Sequence, residues 1–149
     1  MGEDTPVRIR SGPWSETEIR SFLVATAIPV RLASMGAFPM VQSLWFLPDG
    51  LDLWCATQAD SVLARRLRAD DRCGFEVSAD EPPYRGVRGT GHATLLPEAA
   101  ADTLPRLIER YQVADDSPLA TWLLARIATE VAIRISPRTL ASWDYSPRM

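Results

Sequence analysis

The sequence contains no lysine, so all 16 basic residues among its 149 are arginine. Lysine Schiff-base chemistry is therefore excluded, and any anion contact is left to the planar guanidinium group. There is one histidine, His92, and the two cysteines, Cys55 and Cys73, lie far apart without C-x-x-C spacing. These residues do not form the usual hydrolytic or metal-binding patterns, and we expect both cysteines to be buried thiols.

Long apolar runs and an excess of positive charge are also missing. No stretch approaches the roughly 20 apolar residues that a membrane span needs, and the polar N-terminus does not resemble a signal peptide. The formal net charge of −3 disfavours non-specific nucleic-acid binding. We therefore expect a cytoplasmic protein without membrane or nucleic-acid partners. Its composition predicts one globular domain over residues 1–149, with a flexible N-terminal segment at 1–14.

The glycine-rich phosphate loops G-x-G-x-x-G and G-x-x-x-x-G-K-[ST] are absent from the sequence. The closely spaced glycines Gly86, Gly89 and Gly91 fall inside a strand pattern instead. Glycine within a strand indicates a bulge or a close backbone approach. A nucleotide, if bound, is therefore not expected to sit on one of those loops.

Apolar periodicity predicts more strands than helices. Ser15 and Glu18 have capping-box spacing, and apolar residues follow at helical intervals until Pro29 stops the helix. Further helices are predicted over 97–111 and from residue 117. A turn is predicted at 48–50. The predicted strands cover 29–33, 40–47, 51–56, 72–77, 87–96, 131–135 and 139–143. Consecutive strands indicate a mainly β fold, an antiparallel barrel with peripheral helices.

The segment 57–68 is the part of the chain most suited to binding a ligand. A predicted strand ends at Thr57 and Ser61 precedes a helix, so both hydroxyl groups lie near a helix N-terminus, which favours phosphate. On that helix Arg65 faces outward, whereas Arg66 lies on the flank and could reach an anion near the helix start. The alternative is that Ser61 only caps its helix and the arginines form a solvated face.

Several aromatic and polar side chains have two open interpretations. Trp45, Trp54 and Trp143 could line a pocket for a planar ligand, or they could pack in the core or a subunit interface. Arg85 follows two prolines in a loop that is either a binding loop or a structural one. His92 is a proton relay or a partly exposed strand histidine.

A set of short motifs occurs in a characteristic order along the chain. They are Trp45-Phe46, Asp49-Gly50, Leu53-Trp54, Thr57, Ser61, Arg65 to Leu67, Asp71-Arg72, Pro82 to Val87, Gly91 to Ala93, and a late strand-proline-strand from Ile133 to Asp144. With the capped first helix, this ordered set resembles the pyridoxamine 5′-phosphate oxidase-like, FMN-binding split-barrel superfamily. The resemblance covers roughly residues 15–149.

The resemblance implies a split β-barrel of the antiparallel Greek-key type that forms a homodimer, with cofactor sites between the subunits. It implies an FMN-binding oxidoreductase acting on a small-molecule substrate. A reductase that uses the deazaflavin coenzyme is an alternative, and a non-catalytic ligand-binding dimer that has lost tight FMN binding is another. No catalytic acid or base is assigned, because a bound flavin ring would perform the redox chemistry.

The resemblance also implies which residues contact the cofactor. Two strands would run beside the ring system, two hydroxyls would meet the phosphate, and part of the site would come from the partner subunit. The implied set is Val41, Trp45, Phe46, Ala56, Thr57, Ser61, Arg65, Arg66, Arg85, Gly86 and Trp143. This sequence departs from the family at Val62 and Leu63, positions that usually include a basic residue, so Arg66 or Arg65 would have to neutralise the phosphate.

Overall fold

The structure, a computed structural model, describes residues 5–149. Strands predominate, and the longer helices lie on the outside of the sheet. The elements are β1 (Arg8–Ser11), α1 (Glu16–Ala25), β2 (Val30–Ser34), β3 (Met40–Leu44), β4 (Leu47–Asp49), β5 (Asp52–Gln58), α2 (Val62–Ala69), β6 (Arg72–Ser78), β7 (Arg85–Leu96), α3 (Ala100–Arg110), α4 (Pro118–Ala125) and β8 (Glu130–Asp144). None of the helices in this range has the length and apolar character needed to cross a membrane.

The eight strands form one curled sheet in the order β3-β2-β6-β7-β8-β5-β4, with β1 added to β8. Neighbours along this path are antiparallel, and the β1–β8 pair is parallel. Within residues 5–149, β3 pairs only with β2 and β4 only with β5, so the sheet stays open between β3 and β4. The predicted mainly β fold, a split barrel with peripheral helices, is confirmed.

Side chains of β5 alternate between two apolar environments. Leu53 and Cys55 point into the barrel and are fully buried, and they pack in a cluster with Phe46. The side chains between them, Trp54 and Ala56, lie on the opposite face and are only half-buried. Period-two alternation therefore separates a barrel core from an outer layer, where Ala56 packs against the cluster formed by α3 and α4.

Both cysteines are buried and free, as expected from the sequence. Burial in the apolar barrel raises the pKa of the Cys55 thiol far above its usual value, and it raises the pKa of Cys73 to about 11. Thiols with raised pKa values are protonated near neutral pH and are poor nucleophiles. They act in this fold as small apolar side chains.

The start of α1 is fixed by its own sequence. The Ser15 hydroxyl accepts from the Glu18 backbone N–H at 3.2 Å, and the Glu18 carboxylate accepts from the Ser15 N–H at 3.2 Å. The predicted capping box is therefore confirmed. The helix ends at Ala25, however, before the predicted stop at Pro29.

The end of α1 is held by a residue far away in the sequence. The Arg110 guanidinium, at the last turn of α3, donates to backbone carbonyls that have no further helical partner. Those acceptors are Leu23 at 2.8 Å, Thr26 at 3.1 Å and Val24 at 3.2 Å. The same guanidinium lies over the Phe46 ring, with its Cζ 5.0 Å from the ring centroid. Arg110 therefore caps α1 and contacts the barrel core.

The last two predicted strands are wrong as separate elements, because β8 runs without a break over Glu130–Asp144. Pro137 is accommodated at a register shift between Thr90 and Gly91 of β7. A Cβ on Gly91 would lie 2.2 Å from the Ser136 carbonyl oxygen, so only glycine permits this approach. The bulge expected from the glycine pattern therefore allows a proline within a long strand.

The N-terminal segment differs from the flexible segment expected over 1–14. Residues 8–11 form β1, which pairs with residues 139–141 of β8. The backbone of β8 offers a ladder of hydrogen bonds to this segment, a long-range partner that local composition does not reveal. Residues 1–4 lie outside the described part of the chain.

We expect Arg110→Ala to lower the free energy of unfolding by about 2–3 kcal/mol, because charged hydrogen bonds to three carbonyls are lost and the bonds to Leu23 and Thr26 are partly buried. Chemical denaturation followed by circular dichroism measures this. The control is Arg106→Ala on the same helix, where only an exposed ion pair with Asp102 is removed and a change within about 0.5 kcal/mol is expected. Equal effects of the two variants would contradict the capping role.

Candidate functional site

Two hydroxyl groups meet where β5 leads into α2. The Ser61 Oγ accepts from the Ala64 backbone N–H at 3.0 Å, and the Thr57 hydroxyl donates to the same Oγ at 3.0 Å. Ser61 is thus the N-cap of α2, as one of the two sequence interpretations held. The N–H groups of Val62 and Leu63, in the first turn, have no acceptor within the helix. They supply donors for an anion beside the hydroxyl pair.

Arg66 is directed toward the loop between β2 and β3. Its Nη1 donates to the carbonyls of Met35 at 2.9 Å and Phe38 at 3.0 Å. A Cβ on Gly36 would lie 2.1 Å from that nitrogen, so the glycine makes room for the guanidinium. Arg65 is exposed to solvent. The structure therefore gives Arg66 a loop-holding contact, and a contact of either arginine with phosphate stays a prediction.

Large apolar side chains surround this region without being buried. The exposed fractions are 81% for Phe38, 68% for Val41, 51% for Val62 and 41% for Met35. These four residues, which we call the hairpin patch, come from the β2–β3 hairpin and from the first residue of α2. Exposed apolar clusters of this kind are typical of interaction surfaces.

A cavity of about 250 Å³ lies between the outer face of the sheet and helices α3 and α4, and we call it the α4 cavity. It brings Trp45 and Ala56 together, two residues of the predicted site. The Trp45 ring stacks on Tyr111, with centroids 5.2 Å apart and planes 11° from parallel. The complete lining is Ser43, Leu44, Trp45, Ala56, Leu104, Leu107, Leu119, Leu123 and Glu130.

Glu130 is the charged residue of the α4 cavity. Its Oε2 accepts a hydrogen bond from the Gln58 side chain, and Gln58 is held in turn by the Thr129 hydroxyl at 2.6 Å and the Arg126 carbonyl at 3.2 Å. Burial raises the pKa of the Glu130 carboxyl, while the bond from Gln58 and the charge of Arg126 oppose that shift. The carboxylate is therefore fixed in position at the edge of an apolar space.

No family model and no curated protein matches the sequence. Solved structures do. A conserved hypothetical protein, Rv2991 from Mycobacterium tuberculosis, is similar with a TM-score of 0.75 and 28% identity, over 89% of this chain and 86% of that one. A structure described as an F420 reductase has a TM-score of 0.68 and 22% identity, over 79% and 92%. A putative pyridoxamine 5′-phosphate oxidase from Listeria innocua has a TM-score of 0.63 and 21% identity, over 84% and 94%.

This chain has the split-barrel fold of these structures. The resemblance inferred from the ordered motifs is thereby confirmed at the level of the fold. The similar structures span most of the chain.

Within this split barrel, the predicted site residues fall into two groups at opposite ends of β8. Thr57 pairs with Val131, near the start of that strand, whereas Gly86 pairs with Trp143, near its end. The 12 residues between 131 and 143 correspond to roughly 40 Å along an extended strand. Arg85, exposed at the start of β7, belongs to the second group. One chain therefore does not bring the two groups together along its sheet.

Phe46, another residue of the predicted site, contributes its side chain to the core. Its side chain is fully buried in the barrel core, and its backbone N–H donates to the Tyr111 hydroxyl at 3.2 Å. Sequence reasoning also missed Tyr111 and Glu130, which shape the α4 cavity. Tyr111 ended a predicted helix and Glu130 preceded a predicted strand, so neither carried a local signal of binding.

His92 contacts a carboxylate rather than a ligand site. Its Nδ1 lies 2.8 Å from Asp71 Oδ1, and both side chains are substantially exposed. Across residues 5–149 no group of three or more histidine, cysteine and acidic side chains is arranged to hold a metal ion.

We expect Arg66→Ala to release the β2–β3 loop, because both carbonyl contacts of Nη1 disappear. Amide hydrogen exchange over residues 35–39 should become faster, and the free energy of unfolding should fall by about 1 kcal/mol. Arg65→Ala, one position earlier and exposed, is the control and should leave exchange in this loop unchanged. Unaltered exchange in the Arg66 variant would remove the loop-holding role.

Proposed function

We propose that the protein is an oxidoreductase that binds FMN and acts on a small-molecule substrate. The observation that carries the proposal is the Thr57–Ser61 hydroxyl pair at the N-terminus of α2, within a fold shared with proteins described as an F420 reductase and as FAD-binding. A flavin, when bound, supplies the redox chemistry. The residues of this chain bind it, orient it and exclude water.

The donors at the α2 start fit a phosphate group. The first-turn N–H groups of Val62 and Leu63 and the positive end of the helix dipole favour an anion there. The hydroxyls of Thr57 and Ser61 stand next to them. No cationic side chain occupies position 62 or 63, so the electrostatic share of binding would come from the helix and from Arg66, one turn further on.

The ring system would run along the edge strand β3, next to the α4 cavity, because a whole flavin is larger than that cavity. Trp45 follows β3 directly and lines the cavity. The tryptophan is held by its stack on Tyr111, so a flat aromatic surface is present before any ligand arrives.

The site would be completed by a second copy of the chain. Arg85, Gly86 and Trp143 lie at the far end of β8 from Thr57, so they can reach the same cofactor only from a partner subunit. The hairpin patch provides apolar surface beside the α2 start that a second copy would bury. A homodimer with shared sites satisfies both observations.

A reductase that uses the deazaflavin coenzyme is the second candidate. The similarity to a structure described as an F420 reductase favours it, with a TM-score of 0.68 over 79% of this chain. The third possibility, a ligand-binding dimer without catalysis, would follow if the missing cation at 62 and 63 has abolished cofactor binding.

Spectroscopic titration distinguishes these candidates. Purified protein is mixed with FMN and, separately, with the deazaflavin coenzyme, and absorbance and fluorescence report the affinity. We expect saturable FMN binding at micromolar concentration or below, about −8 kcal/mol or stronger. Binding of only the deazaflavin coenzyme would select the second candidate, and binding of neither would reject both redox functions.

Replacing Thr57 with valine tests the phosphate site. The change keeps the shape of the side chain and leaves the Ser61 cap in place, so we expect FMN affinity to fall about tenfold. The matched control is Thr90→Val, which removes a hydroxyl that pairs with the Thr139 hydroxyl at 2.6 Å on another strand pair. The proposal fails here if both variants bind FMN as the unaltered protein does.

The dimer is tested by sizing. Analytical ultracentrifugation at low micromolar concentration should give twice the 16.5 kDa mass of the chain. Val41→Asp places a charge in the hairpin patch and should shift the protein toward the monomer. Val24→Asp is the matched control, since this valine on α1 is exposed to a similar extent, 64% against 68%. A monomer in the unaltered protein at all concentrations would rule out the shared site.

A further inference from the structure

Helix α4 is apolar on nearly all sides, yet it buries little of its surface. Among its residues only Ala120 is buried, whereas Leu119, Trp122 and Leu124 are 44%, 55% and 37% exposed. Leu119 and Leu123 are one helical turn apart and both line the α4 cavity. Filling that cavity would therefore cover apolar surface that the fold leaves open to water.

The walls of the α4 cavity are held in place by contacts outside it. The Tyr111 hydroxyl accepts from the Phe46 N–H at 3.2 Å and donates to the Ile28 carbonyl at 3.2 Å, which fixes the ring on which Trp45 stacks. Leu104 and Leu107 of α3 are buried and form the floor. The site is preformed, so a ligand would not have to order it.

The size of the cavity points to a small ligand. Its volume, about 250 Å³, is below the roughly 300–1,000 Å³ typical of pockets for drug-sized molecules. A whole flavin nucleotide is larger than this space. The cavity suits a compound with one aromatic ring or a short aliphatic body.

The polarity of the cavity points to a particular chemical group. Glu130 is its one charged lining residue, and Gln58 occupies Oε2 only. Across residues 5–149, Oε1 receives no hydrogen bond and Glu130 makes no ion pair. The nearby Arg126 guanidinium instead lies over the Trp122 ring, with Cζ 4.2 Å from the centroid. An oriented, half-buried carboxylate oxygen is thus available to a donor and repels an anion.

We propose that the α4 cavity binds a small apolar amine, with its body between Trp45, Ala56 and the α3–α4 leucines and its ammonium group on Glu130 Oε1. This site is separate from the proposed phosphate site. Ala56 lines the α4 cavity, whereas the side chain of the next residue, Thr57, lies on the opposite face of β5.

The test compares three probes with the same apolar body: 2-phenylethylamine, 2-phenylethanol and 3-phenylpropanoate. Isothermal titration calorimetry is done on the full chain without added cofactor. We expect the amine to bind about tenfold more tightly than the carboxylate, with the alcohol between them. Glu130→Gln keeps the size of the side chain and should bring the three affinities within about threefold of one another.

Two further variants separate binding in the cavity from binding elsewhere. Ala56→Leu fills the space and should weaken all three probes at least about tenfold. Leu119→Arg adds a cation at a 44% exposed position of the cavity lining and should reverse the preference toward 3-phenylpropanoate. Glu109→Gln removes an exposed carboxylate of α3 that does not line the cavity, and it should change nothing.

The proposal is overturned if the amine shows no preference over the carboxylate, if no probe binds at millimolar concentration, or if Glu130→Gln and Ala56→Leu both leave binding unchanged. Cofactor titration on the same sample keeps the two proposals distinct. Amine binding without flavin or deazaflavin binding would reject the proposed redox function and keep the amine site. Cofactor binding without amine binding would reject the amine site and keep the proposed redox function.

Discussion

Arg110 and Tyr111, at the end of α3, connect three parts of the molecule that are far apart in sequence. The guanidinium of Arg110 satisfies the last carbonyls of α1, and the hydroxyl of Tyr111 joins the segment after α1 to the strand region at Phe46. The Tyr111 ring then supports Trp45. Because these contacts use adjacent residues, the position of α3 against the barrel sets both the end of the first helix and the wall of the α4 cavity.

This arrangement separates a rigid scaffold from an open surface. The barrel interior is filled by buried apolar residues such as Leu53 and Ile133. Both proposed binding sites lie outside it, at the α2 start and under α4. Loops and helix ends on a rigid sheet are the usual location of binding residues, because the sheet holds the functional groups of these segments in fixed positions.

The features that sequence alone predicted are those with a local cause. Ser15 with Glu18, and Ser61 before α2, are capping signals that act over three residues, and both were confirmed. The ordered motifs also identified the fold. What sequence reasoning missed depends on long-range contact. Arg66 donates to carbonyls 28 and 31 residues earlier, and the sequence of α2 does not indicate these acceptors. Glu130 gains its significance from Gln58, 72 residues away.

The long strand β8 shows the same dependence on distant partners. Local rules divide it at Pro137, but the bulge beside Gly91 of β7 removes the conflict, and the strand continues. It pairs with β1, β5 and β7, so strands from both halves of the sequence are completed only by residues 130–144. During synthesis on the ribosome, β1 and β5 therefore cannot pair with β8 until most of the chain has been translated. The sheet therefore cannot close until synthesis is nearly complete, and the earlier strand edges need protection until then.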